Sequence, residues 1–131
     1  MAASAWQLYN YAKRYIGNGT ITLGAGVFKM VLARSASNAS TFTLSTYASV
    51  TNEISATGGY VTGGKNLVPA TGQWTVGASL TNIKYAILRN STGAGAGKLL
   101  CFCQLSSSQF TVTSPNTLTV LPAATGIFTL T

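Results

Sequence analysis

The chain contains no histidine and one acidic side chain, Glu53, in 131 residues. Those two shortages remove most hydrolytic chemistry. Glycoside hydrolysis needs two neighbouring carboxylates, and one folded copy supplies only Glu53 and its C-terminus. A Ser/His/Asp or Cys/His relay needs an imidazole to take the nucleophile's proton near neutral pH, and there is none. A metal site would have to be assembled from Cys101, Cys103 and Glu53, short of the four ligands that structural zinc prefers. A Ser/Lys arrangement survives on residue types alone, but every Ser and Lys here has a plainer role as surface. The expectation is a protein that is not an enzyme and that carries no cofactor and no metal.

Charge of either sign is scarce. Only 7% of residues are charged, against about a quarter in an average soluble domain. Ser, Thr, Gly and Asn must therefore supply most of the polar surface. Eight Lys and Arg against one acid give a net charge of +7, which implies a partner of opposite sign. No run approaches the roughly 18 apolar residues of a membrane span, and the N-terminus lacks a basic region followed by a long apolar stretch. The chain reads as soluble and unprocessed, with no membrane partner.

An apolar fraction of 47% is enough for a core, since a domain of this length buries roughly two-thirds of its unfolded surface without a disulfide or metal staple. One domain over residues 1–131 is expected. The two cysteines, Cys101 and Cys103, lie in the apolar run Leu99-Leu-Cys-Phe-Cys103. On an extended strand they share a face but sit too far apart to bond. Reduced, buried thiols and folding in a reducing cytosol fit this.

Residues 4–16 contain neither Gly nor Pro, with Ser4 available as an N-cap and Gly17 as a stop. Ala5, Leu8, Tyr9, Ala12 and Ile16 recur at helical spacing, which predicts one N-terminal α-helix with a buried face. Lys13 and Arg14 fall in its last turn, where the helix dipole favours positive charge. From Asn18-Gly19 onward the period becomes two, and strands are expected at 20–23, 27–33, 73–76, 83–88, 98–105, 109–112, 117–121 and 127–130. That number of short strands makes a sandwich or a small barrel. One short helical turn is expected within 44–50, a turn-rich loop at 58–64, and a long hairpin loop at 91–97.

Gly93-Ala-Gly-Ala-Gly-Lys98 resembles a phosphate-binding loop only in part. A Walker loop needs Gly where this chain has Thr92 and Ser or Thr where it has Leu99, and the dinucleotide fingerprint breaks at Lys98. The basic residues are scattered, with no aromatic-basic repeat, so nucleic acid is a weaker expectation than an acidic protein surface. Trp6, Tyr9, Tyr11 and Tyr15 crowd the N-terminal segment with more aromatic surface than one core-facing stripe needs. Tyr9 is the one expected to pack on the domain's own sheet. Trp6, Tyr11, Lys13 and Arg14 are the candidate protein-interface residues. A surface of Ser, Thr, Gly and Ala costs little to desolvate, which suits a lattice of many copies.

The pieces Ala5-Trp-Gln-Leu-Tyr-Asn-Tyr-Ala-Lys-Arg-Tyr-Ile-Gly17, Gly19-Thr-Ile-Thr-Leu23, Phe28-Lys-Met-Val-Leu32, Ser35-Ala-Ser-Asn-Ala39, Leu44-Ser-Thr-Tyr47, Gly58-Gly-Tyr60, Gly63-Gly-Lys65, Lys84-Tyr-Ala-Ile87, Lys98-Leu-Leu-Cys-Phe-Cys103 and Gly126-Ile-Phe-Thr129 resemble a family of small structural proteins of tailed bacteriophages. The resemblance spans nearly the whole chain. It implies a β-sandwich of jelly-roll build acting as a capsid cement or decoration protein. The implied partners are the major capsid protein and further copies of the chain, as a dimer or trimer. Its implied place is the capsid surface of the virion, after synthesis in the host cytoplasm. The chain departs from the pattern where Thr22, Gly24 and Gly26 stand in place of acids, so the partner surface can differ in sign. Two other readings stay open: a tail or receptor-binding module contacting host glycans, and a basic DNA-associated virion protein.

Overall fold

The computed structural model describes residues 6–21, 28–54, 60, 64–66, 72–75, 80–91, 96–112 and 117–120. The architecture is mainly β. Strands β1 (Gln7–Leu8), β2 (Phe28–Arg34), β3 (Lys65–Asn66), β5 (Leu80–Asn90) and β6 (Leu99–Gln104) form an antiparallel sheet in the order β1-β6-β5-β2-β3. Strand β7 (Phe110–Val112) also pairs with β5. Because Ile83 pairs with both Arg34 and Phe110, β7 must lie on the β6 side of β5. Strands β4 (Gly72–Thr75) and β8 (Thr117–Val120) make a separate antiparallel pair.

The β strands fall close to the residues expected from period and β-branched content, at 28–34, 72–75, 80–90, 99–104, 110–112 and 117–120. Strand β5 runs further toward the N-terminus than expected. There Asn82 adopts a left-handed φ of 61° beside a break in register, a conformation that Asn tolerates better than most residues. The short helical turn is a 3-10 turn, Tyr47–Ser49. The connection from 91 to 98 joins β5 to β6 as a hairpin, and its described end is pinned: the Tyr47 amide donates to the Gly97 carbonyl and the Leu99 amide to that of Ser45. The expected strand at 127–130 and most of the loop at 58–64 lie outside the described residues, as does Ser4.

Two expectations need correction. The helix α1 spans Asn10–Gly17, beginning well after position 4. Gln7 and Leu8 instead pair with Phe102 and Cys101 at the sheet edge, and the Tyr9 amide donates to the Leu100 carbonyl. Pairing to β6 satisfies backbone groups that a longer helix would have satisfied internally. Leu8, Tyr9 and Ala12 are buried all the same, which is why the helical spacing misled. The second correction concerns the strand at 20–23: Thr20 and Ile21 form a bend, with the Ile21 amide donating back to the Tyr15 carbonyl. This turns the chain under the helix and buries Ile21.

The three central strands are buried without alternation. Met30–Ala33, Tyr85–Leu88 and Leu99–Cys103 are consecutive buried runs, so both faces of the sheet are covered. Register places Val31, Ile87 and Phe102 in one row and Met30, Leu88 and Cys101 in the row on the opposite face. On the first face, Tyr9 and Phe42 pack onto Phe102, with ring centroids 4.9 and 5.3 Å away. No helix among the described residues is long and apolar enough to cross a membrane.

Candidate interaction surface

Helix α1 has no acidic residue in its first turn and no side-chain cap. Its start is held by the neighbouring loop. The Tyr9 hydroxyl donates to the Ala39 carbonyl at 2.5 Å, and the Asn10 amide donates to the Phe42 carbonyl at 2.9 Å. Tyr9 is fully buried. Burial pushes its hydroxyl well above the ordinary tyrosine range, and the nearby Cys101 adds to the effect, so it stays a neutral donor. As expected from the sequence, Tyr9 packs on the protein's own sheet.

The four candidate interface residues occupy three different settings. Trp6 precedes β1, half-buried against the core, and is not on the helix. Tyr11 and Arg14 are exposed on α1 and share a helical face with Tyr15, at i, i+3 and i+4. The Tyr11 and Tyr15 rings stack with centroids 6.3 Å apart, and Lys98 Nζ lies 5.2 Å from the Tyr15 centroid. Lys13 is exposed but, two positions after Tyr11, points to the other flank. The structure thus joins Tyr11 and Arg14 to Tyr15 and Lys98, and leaves Trp6 and Lys13 apart. Tyr11, 43% exposed, and Phe42, 44% exposed, are the large exposed apolar residues among those described. The Asn10–Phe42 bond brings their chain segments together.

Beside this patch is a cavity of about 210 Å³ lined by Gln7, Ser40, Phe42, Tyr85, Phe102 and Gln104. Cross-strand register explains the gathering: Gln7 stands opposite Phe102, and Tyr85 opposite Gln104, all on one face of the sheet. Ser40 and Phe42 wall one side of it, and it opens to solvent. None of the six side chains is charged.

The lone acid is engaged elsewhere. Glu53 accepts hydrogen bonds from the Tyr47 hydroxyl at Oε1 and from the Tyr60 hydroxyl, 2.5 Å away, at Oε2. Tyr60 in turn accepts the Leu32 amide at 3.1 Å, taking a ladder position along β2 between β3 and the Ile54 amide, which donates to the Leu32 carbonyl. Burial pushes the Tyr60 hydroxyl far above its usual range; its bond to Glu53 reinforces this and the Leu32 amide opposes it. The Arg89 guanidinium sits 4.4 Å from the Tyr47 ring centroid. That contact offsets the like charge of Lys29, directly opposite Arg89 across β2 and β5.

Tyr60→Phe removes both the acceptor for a buried backbone amide and a donor to the carboxylate. An unmet buried amide costs about 1–3 kcal/mol, so the variant is expected to unfold at lower urea concentration by that amount with an unchanged m-value. A loss below about 0.5 kcal/mol would mean that water replaces the hydroxyl.

Cys101 and Cys103 are free and buried on one face of β6. Burial pushes the Cys101 thiol far up, and pushes Cys103 up to about 12 against a backbone hydrogen bond at Ala86 that works the other way. Neither supplies a thiolate near neutral pH. Among the described residues no three His, Cys, Asp or Glu side chains gather as a metal site.

Tyr47, Tyr60, Arg89, Ser40, Phe42 and Gln104 were not singled out by sequence reasoning. Tyr47 and Tyr60 meet at Glu53, six and seven residues away, but the contacts with Arg89 and Leu32 and the gathering of Ser40, Phe42 and Gln104 join segments remote in sequence, which nothing local marks. Comparison with protein-family models, with curated proteins and with solved structures finds no match to this chain.

Proposed function

We propose that this chain is a structural protein of a tailed-phage virion, a cement or decoration protein that binds the assembled capsid and stabilises it. The observation that carries the reading is the exposed aromatic and basic patch of Tyr11, Arg14 and Phe42 on a chain with almost no acid. Aromatic side chains bury much area with few rotatable bonds, and Arg adds a planar guanidinium with several donors, so both dominate interface energetics. Glu53, tied between two tyrosines, is engaged in structure, which supports a non-catalytic role. Burial of both sheet faces supports a β-sandwich of jelly-roll type.

The mechanism is linkage. A ligand that binds the closed shell in preference to free subunits stabilises it by its binding free energy, and copies at every junction add. The +7 charge favours an acidic face on the major capsid protein, and shell symmetry favours dimers or trimers at the junctions.

Heads lacking the protein, incubated with the purified chain and washed, are expected to retain it in stoichiometric numbers over the whole head. Tyr11→Ala combined with Arg14→Glu should weaken retention about tenfold or more without changing the fold. Labelling confined to the distal tail would support the receptor-binding reading instead. Retention by duplex DNA but not by heads would overturn the proposal.

A further inference from the structure

We infer that the cavity beneath Phe42 is a subsite for one neutral sugar residue. This goes beyond the virion reading and does not depend on it, because the chemistry belongs to the cavity whatever the chain assembles with.

The lining sets the ligand class. With no charged side chain among its six residues, the cavity offers nothing to neutralise a phosphate, carboxylate or ammonium. A purely apolar occupant would strip water from the Gln7 amide and the Ser40 hydroxyl, an unfavourable exchange when no partner is returned. A pyranose satisfies both halves of the site. Its C–H face packs on the exposed ring of Phe42, and its hydroxyls exchange donors and acceptors with amide and hydroxyl groups that can do either. Size agrees, since about 210 Å³ lies below the roughly 300 Å³ at which sites for drug-sized ligands begin. The nearby Lys84 Nζ, 5.7 Å from the Tyr85 ring centroid, is not among the lining residues.

The site is held in shape before any ligand arrives. Phe102 is held between Tyr9 and Phe42, the two phenylalanine rings forming a T-shaped pair at 68°. The Phe42 backbone is tied to Asn10. Preorganisation of this kind reduces the ordering cost of binding. A single-ring subsite binds at about the millimolar level, so useful affinity requires many copies displayed together.

The test is retention of the purified, unassembled full chain on beads densely bearing glucose, galactose, mannose or N-acetylglucosamine. The expected result is retention on at least one of them, competed by the free sugar and unchanged between low and moderate salt. The wild-type protein should show side-chain amide NMR shifts at Gln7 and Gln104 on titration with that sugar. Phe42→Ala and Gln7→Ala should each reduce retention at least about tenfold, while Tyr11→Ala leaves it intact. Circular dichroism confirms that each variant is folded, and Gln7→Ala with the amide shifts decides if Phe42→Ala is not. Absence of retention on all four sugars, retention abolished by salt, or retention unaffected by the cavity variants would overturn the inference. Capsid binding is not measured here, so failure on the beads leaves the cement proposal standing, and failure on heads leaves this one.

Discussion

Phe102→Ala is expected to lower the free energy of unfolding by about 3–5 kcal/mol, the range for deleting a buried aromatic from a packed core. The ring is 4% exposed and lies against both Tyr9 and Phe42. Through Tyr9 it supports the start of α1, and through Phe42 the loop that walls the cavity. Small domains are stable by only about 5–15 kcal/mol, so the loss is a large fraction of the whole. Urea denaturation followed by tryptophan fluorescence measures it. Phe42→Ala, at a ring 44% exposed, should cost about 1 kcal/mol, and the double variant should show a coupling of about 0.5–1.5 kcal/mol from the edge-to-face pair. A cost for Phe102→Ala no greater than for Phe42→Ala would refute the assignment of Phe102 as the hub of this face.

Gly64→Ala is the second change with a large expected effect. Gly64 has φ +90°, and a Cβ there would lie 2.7 Å from the Met30 carbonyl carbon, closer still to its oxygen, and 3.1 Å from Val31 Cγ2. The obstacle is backbone inside the central sheet and cannot rotate away. Left-handed strain of about 1–3 kcal/mol and overpacking of about 1–3 kcal/mol act together, and relief requires β3 to leave the edge of β2. Gly19→Ala is the control. It shares the conformation, with φ +82°, but its Cβ meets nothing within 4 Å, so only the strain of about 1–3 kcal/mol remains, without the overpacking. Equal unfolding midpoints for the two alanine variants would show that β3 is not seated against β2 as described.

Much of the strand framework was legible because it is written in local pattern. The runs around Met30, Ile87 and Cys101 are apolar, with β-branched or aromatic residues among them, between turn signals, and each became a strand. The hairpin between β5 and β6 was equally readable from Ser91-Thr-Gly-Ala-Gly-Ala-Gly97. The start of the helix was not. Leu8 and Tyr9 are apolar at helical spacing to Ala12, yet Leu8 is in a strand whose partner, Cys101, lies at the far end of the chain. The two-residue strand β3 was equally invisible, since Lys65 and Asn66 carry no strand signal and pair only because Gly64 permits close approach.

What the sequence alone determined is its inventory and broad class: no imidazole and one acidic side chain, and short apolar runs between turn signals that make a mainly β protein. Where Glu53 would be spent, which of the N-terminal aromatics would face water, and the assembly of Gln7, Ser40, Phe42 and Phe102 around one cavity were decided by tertiary packing. The division has a physical cause. Backbone preference and burial period act over a few residues and leave a trace in order along the chain, whereas a site is a product of strand register and loop closure, which bring together side chains that no local pattern links.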